Sequence, residues 1–184
     1  MFENIRSALL KRSLRHHLKT QKRRRKTHTF ESARHIGILF DATEEKDRLE
    51  VLDFAHRLEG PTKKVRLLGF VDIKKIALGQ TQFPQFTQKE RGWNGIPNSA
   101  AVHDFVAEKF DLLLCLHSHD IPLLEWVAAT SPAAMKIGAY TDHPNDFDLM
   151  LETPATKGVR FFTDQLDLYL GKIVPSKYEP AAAL

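Results

Sequence analysis

Three observations predict an α/β protein: a three-layer, Rossmann-like sandwich with a mostly parallel sheet, preceded by a basic N-terminal helix. The first is a set of short, unbroken apolar runs, of which Leu112–Leu116 (LLLCL) is the clearest. Such runs suit strands buried on both faces, as in a parallel sheet covered by helices. The second is that these runs alternate with amphipathic segments of helical length, the pattern of repeated β-α-β units. The third is the abrupt polar switch at the end of each run, most marked in His117-Ser118-His119-Asp120 after Leu116. In open parallel sheets, ligands bind beyond the carboxyl ends of the strands.

In chain order, residues 35–42 (HIGILFDA) form the first expected strand. Thr43 is the expected N-cap of the helix that follows, with Glu44 and Glu45 favourably placed in its first turn. That helix stops at Gly60-Pro61, and residues 65–71 (VRLLGFV) form the second strand. Residues 73–97 are less regular. An edge strand fits residues 82–87, where Pro84 argues against a central position, and Gly92-Trp93-Asn94-Gly95 reads as a turn. Asn98 or Ser99 starts a helix to about Lys109, and the Leu112–Leu116 strand follows. Pro122 marks the first turn of the next helix, which ends at Ser131-Pro132, and Asp120 stands where a capping side chain belongs. Residues 135–140 (MKIGAY) and 147–151 are further strands, and Val159, Phe162, Leu166, Tyr169 and Leu170 mark a closing helix. A strand order of 3-2-1-4-5 would make the first strand a neighbour of Leu112–Leu116. Their connections would leave to opposite faces and open a crevice between residues 41–43 and 117–120.

Charge divides the chain unevenly. Residues 1–28 hold ten Lys/Arg against the single acid Glu3, a net +9, whereas residues 29–184 carry 17 Lys/Arg against 22 Asp/Glu, a net −5. The expected organisation is therefore a basic amphipathic arm (1–28), a Rossmann-like α/β domain (35–174) and a flexible tail (175–184). Phe2, Ile5 and Leu9 start an apolar stripe that Leu10, Leu14 and Leu18 continue at i+4 spacing. Lys22-Arg23-Arg24-Arg25-Lys26 then places five positive charges in a row, a block that repels itself and stays poorly ordered without a partner. Cys115 is the single cysteine, so no internal disulfide forms. No secretory signal is seen, and no apolar run nears the ~20 residues that span a bilayer. The expectation is a soluble cytoplasmic protein without a transmembrane segment.

The stretches GILFDATEEKD (37–47), VRLLGFVD (65–72), FTQKERGWNGIP (86–97), MKIGAY (135–140) and FDLMLE (147–152) together carry a resemblance. They look like an uncharacterised family of small bacterial α/β proteins with a basic N-terminal helix. That resemblance implies the fold and brings no established activity. Residues 110–138 show a weaker similarity to the N-terminal half of heptosyltransferase-like glycosyltransferases. The chain lacks the second half that binds a nucleotide sugar, so that activity is not implied.

The arm gives the strongest functional expectation: a non-enzymatic RNA- or ribosome-associated adaptor. Lys11, Arg12, Arg15, Lys19, Lys22, Arg23, Arg24, Arg25 and Lys26 are its candidate phosphate contacts. If about six cations met single-stranded RNA, the log-log salt slope would be roughly −4. An anionic membrane surface and a protein partner are the other partners considered. The alternative function is a small-molecule-binding module or metal-dependent enzyme at the strand ends, where Asp41, Thr43, His117, His119, Asp120 and Asp142 are the candidate pocket residues. Asp72, Tyr140 and His143 also follow strands. His117-x-His119 with a nearby carboxylate could ligate a metal or act as a general base, yet polar residues also collect wherever strands end. No catalytic residue, metal or cofactor is assigned. The first strand is followed by Asp41-Ala42-Thr43-Glu44-Glu45 with no glycine, unlike a dinucleotide fingerprint, and its acids would repel a pyrophosphate.

Overall fold

The structure is a computed structural model and describes residues 2–72, 82–117 and 119–172. The expected flexible tail and Ser118 lie outside the described residues. Six strands form one sheet: β1 (His35–Asp41), β2 (Lys64–Val71), β3 (Gln85–Thr87), β4 (Leu112–Leu116), β5 (Met135–Ala139) and β6 (Leu149–Leu151). Their order is β3-β2-β1-β4-β5-β6, and every pairing between them is parallel. β1 and β4 are neighbours, with Ile36 beside Leu112 and Phe40 beside Leu116. The expected α/β sandwich with a parallel sheet is therefore present, and its order reverses between β1 and β4.

Alternation along the strands divides the core into two apolar layers. Ile36, Ile38 and Phe40 of β1 and Leu112, Leu114 and Leu116 of β4 face α2 (Glu45–Leu58) and α5 (Gly158–Leu170). Leu39, Leu113 and Cys115 face the opposite way, toward α3 (Ala100–Ala107) and α4 (Pro122–Thr130). All five β4 residues are buried, which is why that strand reads as a continuous apolar run rather than an alternating one. Burial of the Cys115 thiol pushes its pKa up to about 12, so it packs as a small apolar group.

Local chemistry departs from expectation at several points. Glu44, not Thr43, occupies the N-cap of α2 and makes no side-chain cap bond. Thr43 Oγ1 instead donates to Asp41 Oδ1 at 2.6 Å and accepts the Asp72 N–H at 3.0 Å, tying the end of β1 to the end of β2. Ile121 occupies the N-cap of α4, while Asp120 turns outward to His143 Nε2 at 3.1 Å. Ser99 does cap α3, accepting from the Val102 N–H. β6 begins at Leu149 because Phe147 is used otherwise: its ring lies over Gly138, where a Cβ would come within 2.5 Å of it.

The basic segment is the main correction. Helix α1 (Phe2–Thr20) buries Leu10 and Leu14, and Leu10 joins the α3/α4 layer of the core. Beyond it, Arg23 turns inward with a side chain only 3% exposed. Its guanidinium makes five hydrogen bonds: to the carbonyls of Ala133, Ala134 and Asp146, to Asp146 Oδ2 at 2.9 Å and to Asp148 Oδ2 at 2.6 Å. These match the five donors of an arginine. Arg25 also pairs with Asp146 at 2.6 Å, and fully buried Lys136 donates to Asp146 at 2.8 Å and to the Ala129 carbonyl at 3.0 Å. The self-repulsion of the charge run is offset by two aspartates distant in sequence. We call this cluster the latch.

Candidate functional site

The reversal of strand order between β1 and β4 leaves the loops after them diverging to opposite faces. A cavity of about 590 Å³ opens there. Its floor and sides are apolar, from Phe70, Leu116, Ile121 and Leu123, with Val159 at the start of α5. Ser7 and Leu10 of α1 contribute its roof. Asp41 at the end of β1, Asp72 after β2, and Glu44 and Asp47 at the start of α2 supply an acidic wall, and Arg91, His117, His119 and Asp120 also border the space. A concave volume of this size suits a small molecule, although polar and charged residues make up about as much of its lining as apolar ones.

Within the acidic wall, Asp41 Oδ1 accepts from the Thr43 N–H and hydroxyl, and Oδ2 has no hydrogen-bond partner among the described residues. Asp72 accepts from the Gln88 amide. Burial raises the Asp47 carboxyl above its ordinary range, and the nearby charges of Glu50 and Asp41 push it further up. An added positive charge in the cavity would relieve this wall.

His117 sits between this cavity and a smaller one of about 50 Å³ beneath Leu14 and Leu18 of α1. Its Nδ1 lies 3.0 Å from the His119 carbonyl, which selects the Nδ1–H tautomer when the ring is neutral. Burial lowers its pKa against the opposing effects of that bond and of Asp41 and Asp120. Its Nε2 is enclosed and accepts no hydrogen bond among the described residues. His119 and Asp120 are exposed. Among the described residues, no three histidine, cysteine or carboxylate side chains converge as a metal site.

Five of the six expected pocket residues, Asp41, Thr43, His117, His119 and Asp120, thus border one cavity. Asp142 borders neither space around His117; its Oδ1 accepts from Tyr140 Oη at 2.9 Å. Asp47, Arg91 and the α1 residues were not among the expected lining. Asp47 lies one helical turn past Thr43 on α2 and could have been found from helical spacing. Nothing local in α1 signals a roof. On the arm, Lys11, Arg12, Arg15, Lys19, Lys22, Arg24 and Lys26 are exposed, and Arg25 is 59% exposed despite its pairing, whereas Arg23 is withdrawn into the latch.

A family model matches residues 6–173, taking in most of α1 and the whole sheet. The chain belongs to that family, a family of unknown function designated DUF6913. No curated protein and no solved structure matches the chain.

Proposed function

We propose that the protein binds a small, phosphate-free molecule carrying a cationic group in the cavity at the ends of β1, β2 and β4. The observation that carries this reading is the convergence of Asp41, Asp47 and Asp72 on one wall of a cavity of about 590 Å³. The volume falls within the range of small-ligand pockets. The wall chemistry selects charge. Carboxylates at the first turn of α2 disfavour a phosphate, which would otherwise be drawn to a helix N-terminus. The same wall argues against a nucleotide sugar, so the glycosyltransferase likeness adds no substrate. Such a protein would act in the cytoplasm of a bacterial cell.

The test is thermal unfolding of the full chain with agmatine, spermidine, adenosine and ATP. A ligand at 100 times its dissociation constant adds about 2.7 kcal/mol. For a chain of this size each kcal/mol raises Tm by about 2–4 °C. Agmatine or spermidine should give a rise that Asp41→Asn with Asp72→Asn removes. A rise with ATP alone, or one insensitive to these substitutions, refutes the reading.

A second reading, an RNA- or ribosome-associated adaptor, is favoured by a separate observation. Lys11, Arg12, Arg15 and Lys19 remain exposed along one side of α1 while its leucines turn inward. Cations held on a docked helix suit a phosphate backbone. A membrane anchor is less well supported, because Leu10 and Leu14 are committed to packing within the protein. Co-sedimentation with ribosomes across a salt series, comparing the chain with Lys11, Arg12, Arg15 and Lys19 all changed to Glu, tests the adaptor. Identical distributions of the two proteins remove it.

A further inference from the structure

Trp93 is 80% exposed, more than any other large apolar side chain among the described residues. A single exposed apolar residue needs no explanation by itself. Here the support beneath it matters. The turn is closed by Gly92 N–H to the Ile96 carbonyl at 2.9 Å and Gly95 N–H to the Gly92 carbonyl at 3.0 Å. Asn94 Oδ1 accepts the Ile96 N–H at 3.2 Å, and Arg91 bridges to Pro97. Gly95 adopts φ +79°, a conformation that favours glycine, and a Cβ there would lie 2.5 Å from the Arg6 carbonyl oxygen. The turn is therefore seated on the backbone of α1 and carries Trp93 outward from that seat.

Next to Arg6, Ile5 is 51% exposed. Helical spacing puts Ile5, Leu9, Arg12, His16 and Lys19 in one stripe along α1. An exposed apolar group thus stands at one end of a stripe whose cations, Arg12 to Lys19, span about 10 Å. Arg15 is exposed beside that stripe.

We propose that Trp93 is a stacking platform for a base of a single-stranded nucleic acid whose phosphates run along Arg12, Arg15 and Lys19. The inference rests on the adaptor reading and names its ligand as single-stranded. The pairing of parts is what such recognition uses: cations track the backbone, and an indole face accepts any base. Binding is consequently tolerant of sequence. A lipid surface could also take an exposed tryptophan beside cations. It is disfavoured because Leu10 and Leu14, which would have to enter the acyl layer, are buried within the protein.

The test uses the full chain carrying Trp126→Phe, so that Trp93 alone reports fluorescence. Trp126 Nε1 makes no hydrogen bond among the described residues, so phenylalanine breaks none there. The protein is titrated with a twelve-nucleotide oligouridylate and, separately, with phosphatidylglycerol vesicles. The expected result is quenching by the oligonucleotide, with a log-log salt slope near −2 for about three phosphate contacts. Trp93→Ala should weaken binding roughly 5- to 150-fold without changing that slope, and Trp93→Phe should restore part of the loss. Arg12→Glu with Lys19→Glu should flatten the slope by about 1.4. If Trp93→Ala binds as tightly as its parent while the charge reversals weaken binding, the platform is wrong and the adaptor reading survives. If the parent binds no oligonucleotide, both fall; binding to vesicles alone overturns both in favour of a membrane surface.

Discussion

Two clusters of charge in this protein share aspartates and differ in what surrounds them. The latch joins Arg23, Arg25 and Lys136 to Asp146 and Asp148, with opposite charges 2.6–3.4 Å apart and backbone carbonyls taking the remaining donors of Arg23. The cavity wall gathers Asp41, Glu44, Asp47 and Asp72 around open space. The aspartates themselves register the contrast. Burial acts to raise Asp146, but bonds and charges from Lys136 and Arg23 outweigh it and hold that carboxyl below its usual range. Burial and the like charges of Glu50, Asp41 and Glu44 raise Asp47, and the nearby Lys46 charge offsets them only in part. A saturated cluster serves the fold. A cluster of like charges is stabilised by a cation placed against it.

The contrast can be broken most directly at adjacent residues. Removing one partner of a buried, hydrogen-bonded charge network costs about 3–5 kcal/mol. Arg23→Ala should lose an amount of that order in urea unfolding, whereas exposed Arg24→Ala should stay within about 0.5 kcal/mol. Equal losses would show that the latch contributes nothing. Next in size is Leu10→Ser, expected to cost about 2–4 kcal/mol by the same measurement, because it opens a void and buries a hydroxyl. A stable Leu10→Ser variant would mean that α1 does not dock on the body.

Acid titration separates the two aspartates. The depressed pKa of Asp146 contributes stability that is present above its unfolded value of about 3.8 and is lost as pH falls through the lower folded value. The raised pKa of Asp47 acts oppositely: its contribution is fully present below about 3.8 and is lost as pH rises through the folded value. Asp47→Asn should therefore raise stability at pH 7, by about 0.5 kcal/mol once solvent screening at this half-buried position is allowed for. The gain should vanish below pH 4. Chemical denaturation of both proteins at the two pH values checks this, and a loss of stability at pH 7 would contradict the reading that the charged form of Asp47 is disfavoured in the fold.

A smaller effect is expected from buried histidines. His28 and His117 have pKa values lowered by burial, so their neutral forms favour the folded state above pH 6.5. That contribution declines as pH falls from 6.5 toward the folded values, because the unfolded chain then binds more protons. His28→Gln should flatten the dependence of Tm on pH between 7 and 5. An unchanged slope would show that His28 protonation is not linked to folding.

The parts of the fold legible in the sequence are those set by local pattern. β4 announces itself because a strand covered on both faces is apolar at every position, and Asp41, His117 and Asp120 stand out because they follow such strands. Their convergence was legible too, once β1 and β4 were taken as neighbours. Arg23 could not be told from Arg24, since a charge run has no period that marks one member as internal. Its aspartate partners lie more than 120 residues away. Lys136 within MKIGAY was the one local hint: a lysine inside an otherwise apolar strand needs a carboxylate nearby. Asp142 misled because its proximity to a strand end says nothing about Tyr140 capturing it.

The sequence by itself determined the alternation of strands and helices, the parallel sheet and the acidic, glycine-free loop after β1. These follow from side-chain periodicity and turn chemistry over a few residues. Tertiary structure alone decided which cations of the arm belong to the interior, that α1 roofs the cavity, and that the turn carrying Trp93 is seated against α1 at Arg6. Each depends on segments that meet only when the chain closes on itself. A buried charge is held by the geometry of its partner, and that geometry is a property of the folded chain.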